Sequence, residues 1–194
     1  MNHEHLENVL RFHGHLCPGV AFGYRAGLYA LKEFGAAQGT LRDTHIVIAE
    51  NEVCGLDGIQ IMTGCTVGND GLLIQNIGKQ AFIIIAKKDG HGLRVLLDVP
   101  LWDSEHPLML HAKVKSKTAT PEEKKEFFAL RTKRGQEILS MTDDELLKVF
   151  TASYPYTEKI RLFPFKTCDQ CGEAVMSPWI KEVKGKYLCQ SCEK

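Results

Sequence analysis

Four cysteines near the C-terminus form two pairs, Cys168-x-x-Cys171 and Cys189-x-x-Cys192, with 17 residues between the pairs. A two-residue gap lets one tight turn direct two sulfur atoms at the same ion, and two such turns suit tetrahedral zinc. A segment of about 30 residues has too small a core to fold alone, so metal binding would supply its folding free energy. The alternative, a thioredoxin-like redox pair, requires a βαβ context that this segment does not predict. The pattern therefore predicts a zinc ribbon that holds one ion.

A second group of metal-binding side chains lies near the N-terminus. His13, His15 and Cys17 fall within five residues, while Cys54 and Cys65 each lie beside a glycine that permits close backbone approach to a ligand. Imidazole nitrogen and thiolate sulfur together suit zinc or another late first-row transition metal. We predict that such a metal is bound by His15, Cys17, Cys54 and Cys65. Cys65 either completes this site or packs beside it, and His13 is expected to support a ligand or to face a substrate.

Two other interpretations of these residues stay open. Cys54 and Cys65 are small enough to be buried as hydrophobic residues, as free cysteines often are. Alternatively, Cys17 is a nucleophile, because a neighbouring histidine and the N-terminus of a following helix both lower the pKa of a thiol. Asp57 would then orient the imidazole, although an aspartate at the start of a helix commonly serves only as a cap.

The flanking sequence predicts the elements that carry these side chains. Apolar residues at helical spacing predict a first helix that ends near His13 and a second helix that begins at Pro18. Runs of β-branched residues predict strands at 45–49 and 82–86, and a short helix is predicted at 56–62. The first two helices therefore flank the histidine-cysteine motif, and Cys54 lies between a strand and a helix.

The second half of the chain is predicted to change from strands to helices. Residues 93–99 return as the hairpin partner of the preceding strand, and another strand is predicted at 110–114. Thr120 and Thr142 each begin a capping box, in which a glutamate follows the threonine three residues later, and each therefore predicts a helix. A linker is predicted at 154–165, ahead of the ribbon.

This order of elements predicts an α+β fold, in which a mixed β-sheet with flanking helices is followed by the small zinc ribbon. The corresponding domains are a metal-binding domain at 1–157 and the four-cysteine ribbon at 158–194. Gly19, Gly23 and Gly27 form a stripe along the second helix, where small residues permit close backbone contact. The stripe indicates either tight packing within the chain or a subunit contact. Together with the apolar second strand, it leads us to expect a homodimer.

The composition argues against several classes of function. The 194 residues carry 24 basic and 24 acidic side chains, so the chain lacks the basic excess typical of nucleic-acid-binding proteins. Seven cysteines without a secretion signal indicate reduced thiols and metal binding in a cytoplasmic protein. No apolar run reaches the roughly 18 residues that a membrane helix requires. We therefore expect no membrane association, and nucleic acid is disfavoured as a partner.

Four motifs, in this order and at these spacings, resemble the FmdE (FmdE/FwdE-like) family of formylmethanofuran dehydrogenase subunits. They are His13-Gly14-His15-Leu16-Cys17-Pro18-Gly19, Cys54-Gly55-Leu56-Asp57-Gly58-Ile59-Gln60, Gly64-Cys65-Thr66-Val67-Gly68 and Gly78-Lys79-Gln80-Ala81-Phe82. The resemblance extends over about residues 9–150 and implies an α+β domain of the FwdE/GAPDH-domain-like type with a metal near the histidine-cysteine motif. A C-terminal zinc ribbon accompanies this domain in the family. By motif, the implied metal ligands are His15, Cys17, Cys54 and Cys65.

The resemblance implies a metabolic context without fixing a reaction. Members of the family are associated with a molybdenum or tungsten dehydrogenase that oxidises formylmethanofuran, but no part of this sequence resembles a pterin-binding catalytic subunit. The first hypothesis is a zinc-binding accessory or regulatory protein of such one-carbon redox metabolism, with redox-enzyme subunits as partners. One alternative is a small metal- or thiol-dependent enzyme for a one-carbon or pterin-like substrate at His15 and Cys17. The other is a nucleic-acid-binding regulator that uses the ribbon.

Overall fold

The computed structural model describes residues 3–157 and 163–193. The chain divides into two compact units, residues 1–157 and residues 158–194. The first unit contains α1 (His3–His13), α2 (Pro18–Glu33), a 3-10 turn (Leu41–Asp43), β1 (His45–Ala49), α3 (Gly55–Thr63), β2 (Leu72–Ile74), β3 (Ala81–Ala86), β4 (His91–Leu97), α4 (His106–Lys115), α5 (Pro121–Ser140), α6 (Asp143–Leu146) and β5 (Leu147–Ser153). The second unit contains β6 (Phe165–Thr167), β7 (Ala174–Met176), a 3-10 turn (Ser177–Trp179), β8 (Ile180–Val183) and β9 (Lys186–Cys189). Among the described residues, no helix combines the length and apolar character needed to cross a membrane.

A five-stranded mixed sheet in the order β2-β1-β3-β4-β5 forms the centre of the first unit. β1 runs parallel to β2, and the remaining neighbours are antiparallel. Side chains of β1 alternate between two faces, so that Val47 and Ala49 join the main core beneath the helices, whereas Ile46 and Ile48 join a small cluster on the opposite face. The prediction of an α+β fold with a mixed sheet is confirmed.

Two elements of the second half differ from the prediction. The strand predicted at 110–114 is wrong, because this segment belongs to helix α4, whose buried residues Pro107 and Leu110 lie at helical spacing. The capping box at Thr142 is present, but the helix that it begins ends after four residues. Residues Leu147–Ser153 then form β5, which pairs with β4 along its whole length. Pairing with a strand already in the sheet prevails here over the helical signal of the cap. The predicted linker at 154–165 lies partly outside the described residues.

The glycine stripe of α2 packs against α3 of the same chain. A Cβ atom at Gly23 would lie 2.1 Å from the carbonyl oxygen of Gly55, and one at Gly27 would lie 2.4 Å from the Cβ of Met62. At Gly19 the nearest atom is the Cβ of Cys54, at 3.0 Å. The stripe is therefore explained by packing within one chain, and it gives no support to a subunit contact. The homodimer stays a prediction.

Helix α5 is fixed to the start and the middle of α2. A Cβ atom at Gly135 would lie 2.7 Å from the Cγ of Leu16, so this glycine allows α5 to approach the turn between His15 and Cys17. The buried guanidinium of Arg25 donates hydrogen bonds to the carbonyl oxygens of Ile138 and Leu139, near the end of α5. These contacts hold α5 beside the histidine-cysteine motif.

Candidate metal centres and the adjoining cavity

Two helix N-termini meet in the first unit, and a cysteine occupies the N-cap position of each. Cys17 is the N-cap of α2, and its Sγ accepts a hydrogen bond from the backbone N–H of Val20 at 3.4 Å. Cys54 is the N-cap residue of α3. Because the unpaired N–H groups at a helix N-terminus carry partial positive charge, both positions favour the thiolate form of cysteine. Close packing of α2 on α3 brings the two cysteines together.

The imidazole of His13 joins this pair of cysteines. Its Nε2 lies 3.6 Å from the Sγ of Cys17, and its Nδ1 lies 2.7 Å from the carboxylate of Asp57. Donor atoms of His13, His15 and Cys17 lie within 4.8 Å of one another. An imidazole held on one nitrogen by a carboxylate, with the other directed at a metal, is the usual arrangement of a histidine ligand. His13, which was expected to support a ligand or to face a substrate, thus lies among the possible donors. Its contact with Asp57 is the one expected if Cys17 were a nucleophile, and it also suits a metal ligand.

The two cysteines of this group differ in ionisation. A hydrogen bond from Cys17, aided by the positive charge of His13, lowers the pKa of Cys54 to about 6. The same hydrogen bond, together with burial, raises the pKa of Cys17, so Cys17 would lose its proton only when a metal ion binds it. Burial, and then the charge of Arg131, lowers the pKa of His15. His15 is therefore neutral near pH 7, the form in which imidazole binds metals.

Cys65 does not reach this group. Its Sγ donates to the carbonyl oxygen of His45 at 3.6 Å, and burial raises its pKa to about 11. His45 begins β1, whereas Cys54 follows the end of that strand, so the two cysteines lie toward opposite ends of β1. These contacts match the alternative of a small buried residue and give no support to Cys65 as a ligand, a role that stays a prediction.

The second unit brings its four cysteines together. Ligand atoms of Cys168, Cys171, Cys189 and Cys192 lie within 4.8 Å of one another, at the ends of two β-hairpins. The backbone N–H of Cys189 donates to the Sγ of Cys168 at 3.4 Å. Backbone N–H groups, that of Cys171 first, lower the pKa of Cys168 to about 6. The four predicted ligands therefore lie close enough together to hold one metal ion.

A cavity of about 430 Å³ opens beside the first donor group. Its size lies within the range of small-molecule sites in proteins. Three of the donor residues share its wall with side chains from α4, α5 and the segment before α4. The full lining is His15, Cys17, Pro18, Gly19, Val53, Cys54, Gln80, Leu101, Trp102, His111, Val114, Lys115, Phe127, Phe128 and Arg131.

Sequence reasoning missed most of the cavity wall. Phe127 and Arg131 are four residues apart on α5, and this spacing places them on one helix face once the capping box has fixed the helix. Trp102 and His111 carry no comparable signal, because their approach to α5 depends on how α4 folds back. Gln80 falls within a family motif, but its position in that motif does not indicate what it contacts.

Comparisons with known proteins agree with the fold and the motifs. A family model described as "FmdE, Molybdenum formylmethanofuran dehydrogenase operon" matches residues 12–148. A protein of Archaeoglobus fulgidus named "Probable S-adenosyl-L-methionine-binding protein" is 32% identical over 188 residues, which cover 93% of this chain and 50% of that protein. The chain thus spans half the length of this relative. The crystal structure of a tungsten formylmethanofuran dehydrogenase FmdE-like protein from Syntrophus aciditrophicus matches with a TM-score of 0.62 and 25% identity, over 98% of this chain and 90% of that one. Because the family model covers more than half of its residues, the chain belongs to the FmdE family.

Proposed function

We propose that the first unit binds one transition-metal ion, zinc in the first instance, through His13, His15, Cys17 and Cys54. The observation that carries this proposal is the convergence of nitrogen and sulfur donors around an imidazole that Asp57 holds in place. The ribbon would hold a second, structural zinc ion. A Zn²⁺ ion bound by two thiolates and two neutral imidazoles has no net charge, which suits a site that is partly buried.

The donor set fits such an ion. Burial of Cys17, which is 5% exposed, makes a thiolate there costly without a metal ion, and the helix N-termini at both cysteines offset part of that cost. When an open coordination position is left, a bound zinc ion supplies a Lewis acid; when four protein ligands close the shell, it serves structure or regulation. The structure brings three donors together, and Cys54, from the N-cap of α3, would be the fourth ligand that closes the shell.

This donor count supports a role as an accessory or regulatory protein. The family description names a formylmethanofuran dehydrogenase operon, and we therefore propose a role in one-carbon redox metabolism of that type, with redox-enzyme subunits as partners. The cavity beside the donors would then receive a regulatory small molecule.

A small metal-dependent enzyme is the second candidate, and one observation favours it. His15, Cys17 and Cys54 line the cavity, so a ligand could approach an ion from that side. X-ray absorption spectroscopy at the zinc edge separates the candidates. A shell made only of nitrogen and sulfur favours the accessory protein, whereas an oxygen ligand from water favours the enzyme.

The name of the Archaeoglobus relative suggests S-adenosyl-L-methionine as a ligand. The adenine ring suits a cavity with aromatic walls. Its sulfonium and ammonium groups would be repelled by Arg131 and Lys115, which line the same cavity, whereas its carboxylate would be attracted by them. Charge therefore neither selects nor excludes this ligand for the cavity of this chain.

Metal analysis of purified variants tests the proposed site. We expect about two zinc ions per chain in the parent protein, one in each unit. Cys17→Ser and Cys54→Ser should each lose about one ion and keep the ion of the ribbon. Cys65→Ser is the matched control, because this buried cysteine lies outside the donor group, and it should keep both. Full metal content in both Cys17→Ser and Cys54→Ser would refute the site and favour the alternative of Cys17 as a nucleophile.

A further inference from the structure

The cavity beside the first donor group has walls rich in aromatic rings. Phe127 and His111 are stacked in parallel, with ring centroids 5.2 Å apart and an interplanar angle of 2°. Trp102 lies 6.1 Å from the ring of Phe127, and Phe128 lies 5.7 Å from it. Flat rings of this kind bind another planar ring by stacking or by edge-to-face contact.

Apart from the cysteines of the donor group, the charged side chains of the cavity are both basic. Arg131 and Lys115 contribute to the lining, and no aspartate or glutamate is among the described residues that do so. Within residues 3–157 and 163–193, neither forms an ion pair with a carboxylate. The guanidinium carbon of Arg131 lies 4.9 Å from the centroid of the Phe128 ring, which holds the cation against the aromatic wall.

Two buried polar atoms of the lining have no hydrogen-bond partner in the described part of the chain. They are the Nε of Arg131, a donor, and the Oε1 of Gln80, an acceptor. Buried polar groups normally find partners, because leaving one unsatisfied costs about 1–3 kcal/mol. A ligand that supplies an acceptor to Arg131 and a donor to Gln80 would satisfy both.

We infer that this cavity binds a planar aromatic molecule that carries an anionic group and a hydrogen-bond donor. The ring would lie among Phe127, Phe128 and Trp102, and the anion would pair with Arg131 and Lys115. This inference rests on the proposed function. A Zn²⁺ ion would neutralise the thiolates of the adjoining site, so that Arg131 and Lys115 give the cavity a net positive charge. A guanidinium binds a carboxylate through two parallel hydrogen bonds, so a carboxylate is the anion that suits Arg131.

Three matched probes test the inference by calorimetric titration of the zinc-loaded protein. They are 6-hydroxy-2-naphthoate, its neutral carboxamide, and the saturated 6-hydroxydecahydronaphthalene-2-carboxylate. The naphthoate should bind about tenfold more tightly than either of the other two, because only it combines the ring with the charge. Equal affinity for the naphthoate and its carboxamide, or no binding of the naphthoate, overturns the inference.

Variants of α5 locate the anion. Arg131→Gln should lower the affinity for the naphthoate most of the way to that for the carboxamide, with Lys115 accounting for the remainder, and should leave the carboxamide affinity unchanged. Lys125→Gln, an exposed position on the same helix, is the control and should keep the full preference. An unchanged preference in Arg131→Gln overturns the assignment, and circular dichroism confirms that each variant is folded.

Zinc content measured on the same samples separates two kinds of failure. Two zinc ions per chain without a preference for the naphthoate overturn only this inference. A single ion per chain overturns the proposed metal site, whatever the titration gives.

Discussion

Replacing Gly23 by alanine would disturb the contact that holds the two cysteine-bearing helix ends together. The added Cβ atom would lie 2.1 Å from the carbonyl oxygen of Gly55 and 2.8 Å from its carbonyl carbon. Both of these are backbone atoms, so neither can rotate away. Separation to the 3.0 Å that real Cβ contacts require means that α2 and α3 move apart by about 0.9 Å.

The expected cost follows from two opposing effects. Overpacking of a tight core contact costs about 1–3 kcal/mol, and a contact between two backbones belongs at the upper end of that range. Alanine in place of glycine stabilises a helix by about 1 kcal/mol. We therefore expect Gly23→Ala to lower the free energy of unfolding by about 2 kcal/mol. The same movement would separate Cys17 from Cys54 and weaken metal binding.

Urea denaturation of the parent and variant proteins measures the first effect, and competition with a chelator measures the second. Gly68→Ala is the control, because the atom nearest to its Cβ would be 3.9 Å away, an ordinary contact. The control should change stability by no more than about 0.5 kcal/mol. If Gly23→Ala is as stable as Gly68→Ala and binds metal as tightly as the parent, the close contact of α2 with α3 does not exist as described.

Three further predictions concern charge and metal. Asp57→Asn should weaken metal binding in the first unit by about 10–100-fold in chelator competition, because it alters the hydrogen bond that holds the imidazole of His13. The exposed Asp43→Asn is the control, and an equal loss of affinity in both variants would contradict this role of Asp57. Chelator should unfold residues 166–194, so equal protease resistance of this segment with and without chelator would refute a structural zinc ion. The hydrogen bond from Arg94 lowers the pKa of Glu50, so the carboxylate stabilises the fold at higher pH, and this stabilisation is lost as the pH falls below about 4.3 toward the folded-state pKa. Glu50→Gln should therefore reduce the acid-side slope of unfolding free energy against pH, and an unchanged slope would contradict it.

The sequence was informative where local rules decide the structure. Proline is favoured in the first turn of a helix, and α2 begins at Pro18 as predicted. A run of β-branched residues gave β1 its predicted bounds, 45–49. These two elements place Cys17 and Cys54 at their helix ends, so the cysteines of the site could be predicted without knowledge of the whole fold.

The errors at the site arose where direction and distance matter more than residue type. Gly14 has a φ of +88° and turns the chain after α1, so that His13 is directed back toward Cys17. Helix α3 has nine residues and is about 14 Å long, and it separates Cys54 from Cys65. This length argues against Cys65 as a ligand beside Cys54, and the helix predicted from the sequence would have been enough to draw that conclusion.

The cavity depended on packing that no local pattern encodes. Its aromatic wall combines Trp102, His111 and Phe127, which come from an irregular segment and two helices. His111 falls in the segment predicted as a strand, and a strand there would have joined the sheet and not α5. Because residues 110–114 were predicted as a strand and not as a helix, the sequence analysis could not place His111 in the cavity wall.

The two donor groups differ in what supports them, and this difference separates their roles. Among the described residues of the ribbon, three buried side chains form its core, and two of them are the predicted ligands Cys168 and Cys189. Its metal would therefore supply most of its folding free energy. In the first unit, Cys17 joins a large core that contains fully buried residues such as Val20 and Phe22. That core holds Cys17 in place, so the first unit would not depend on a metal ion for its folding. Its metal affinity would then be free to change when a ligand binds in the adjoining cavity.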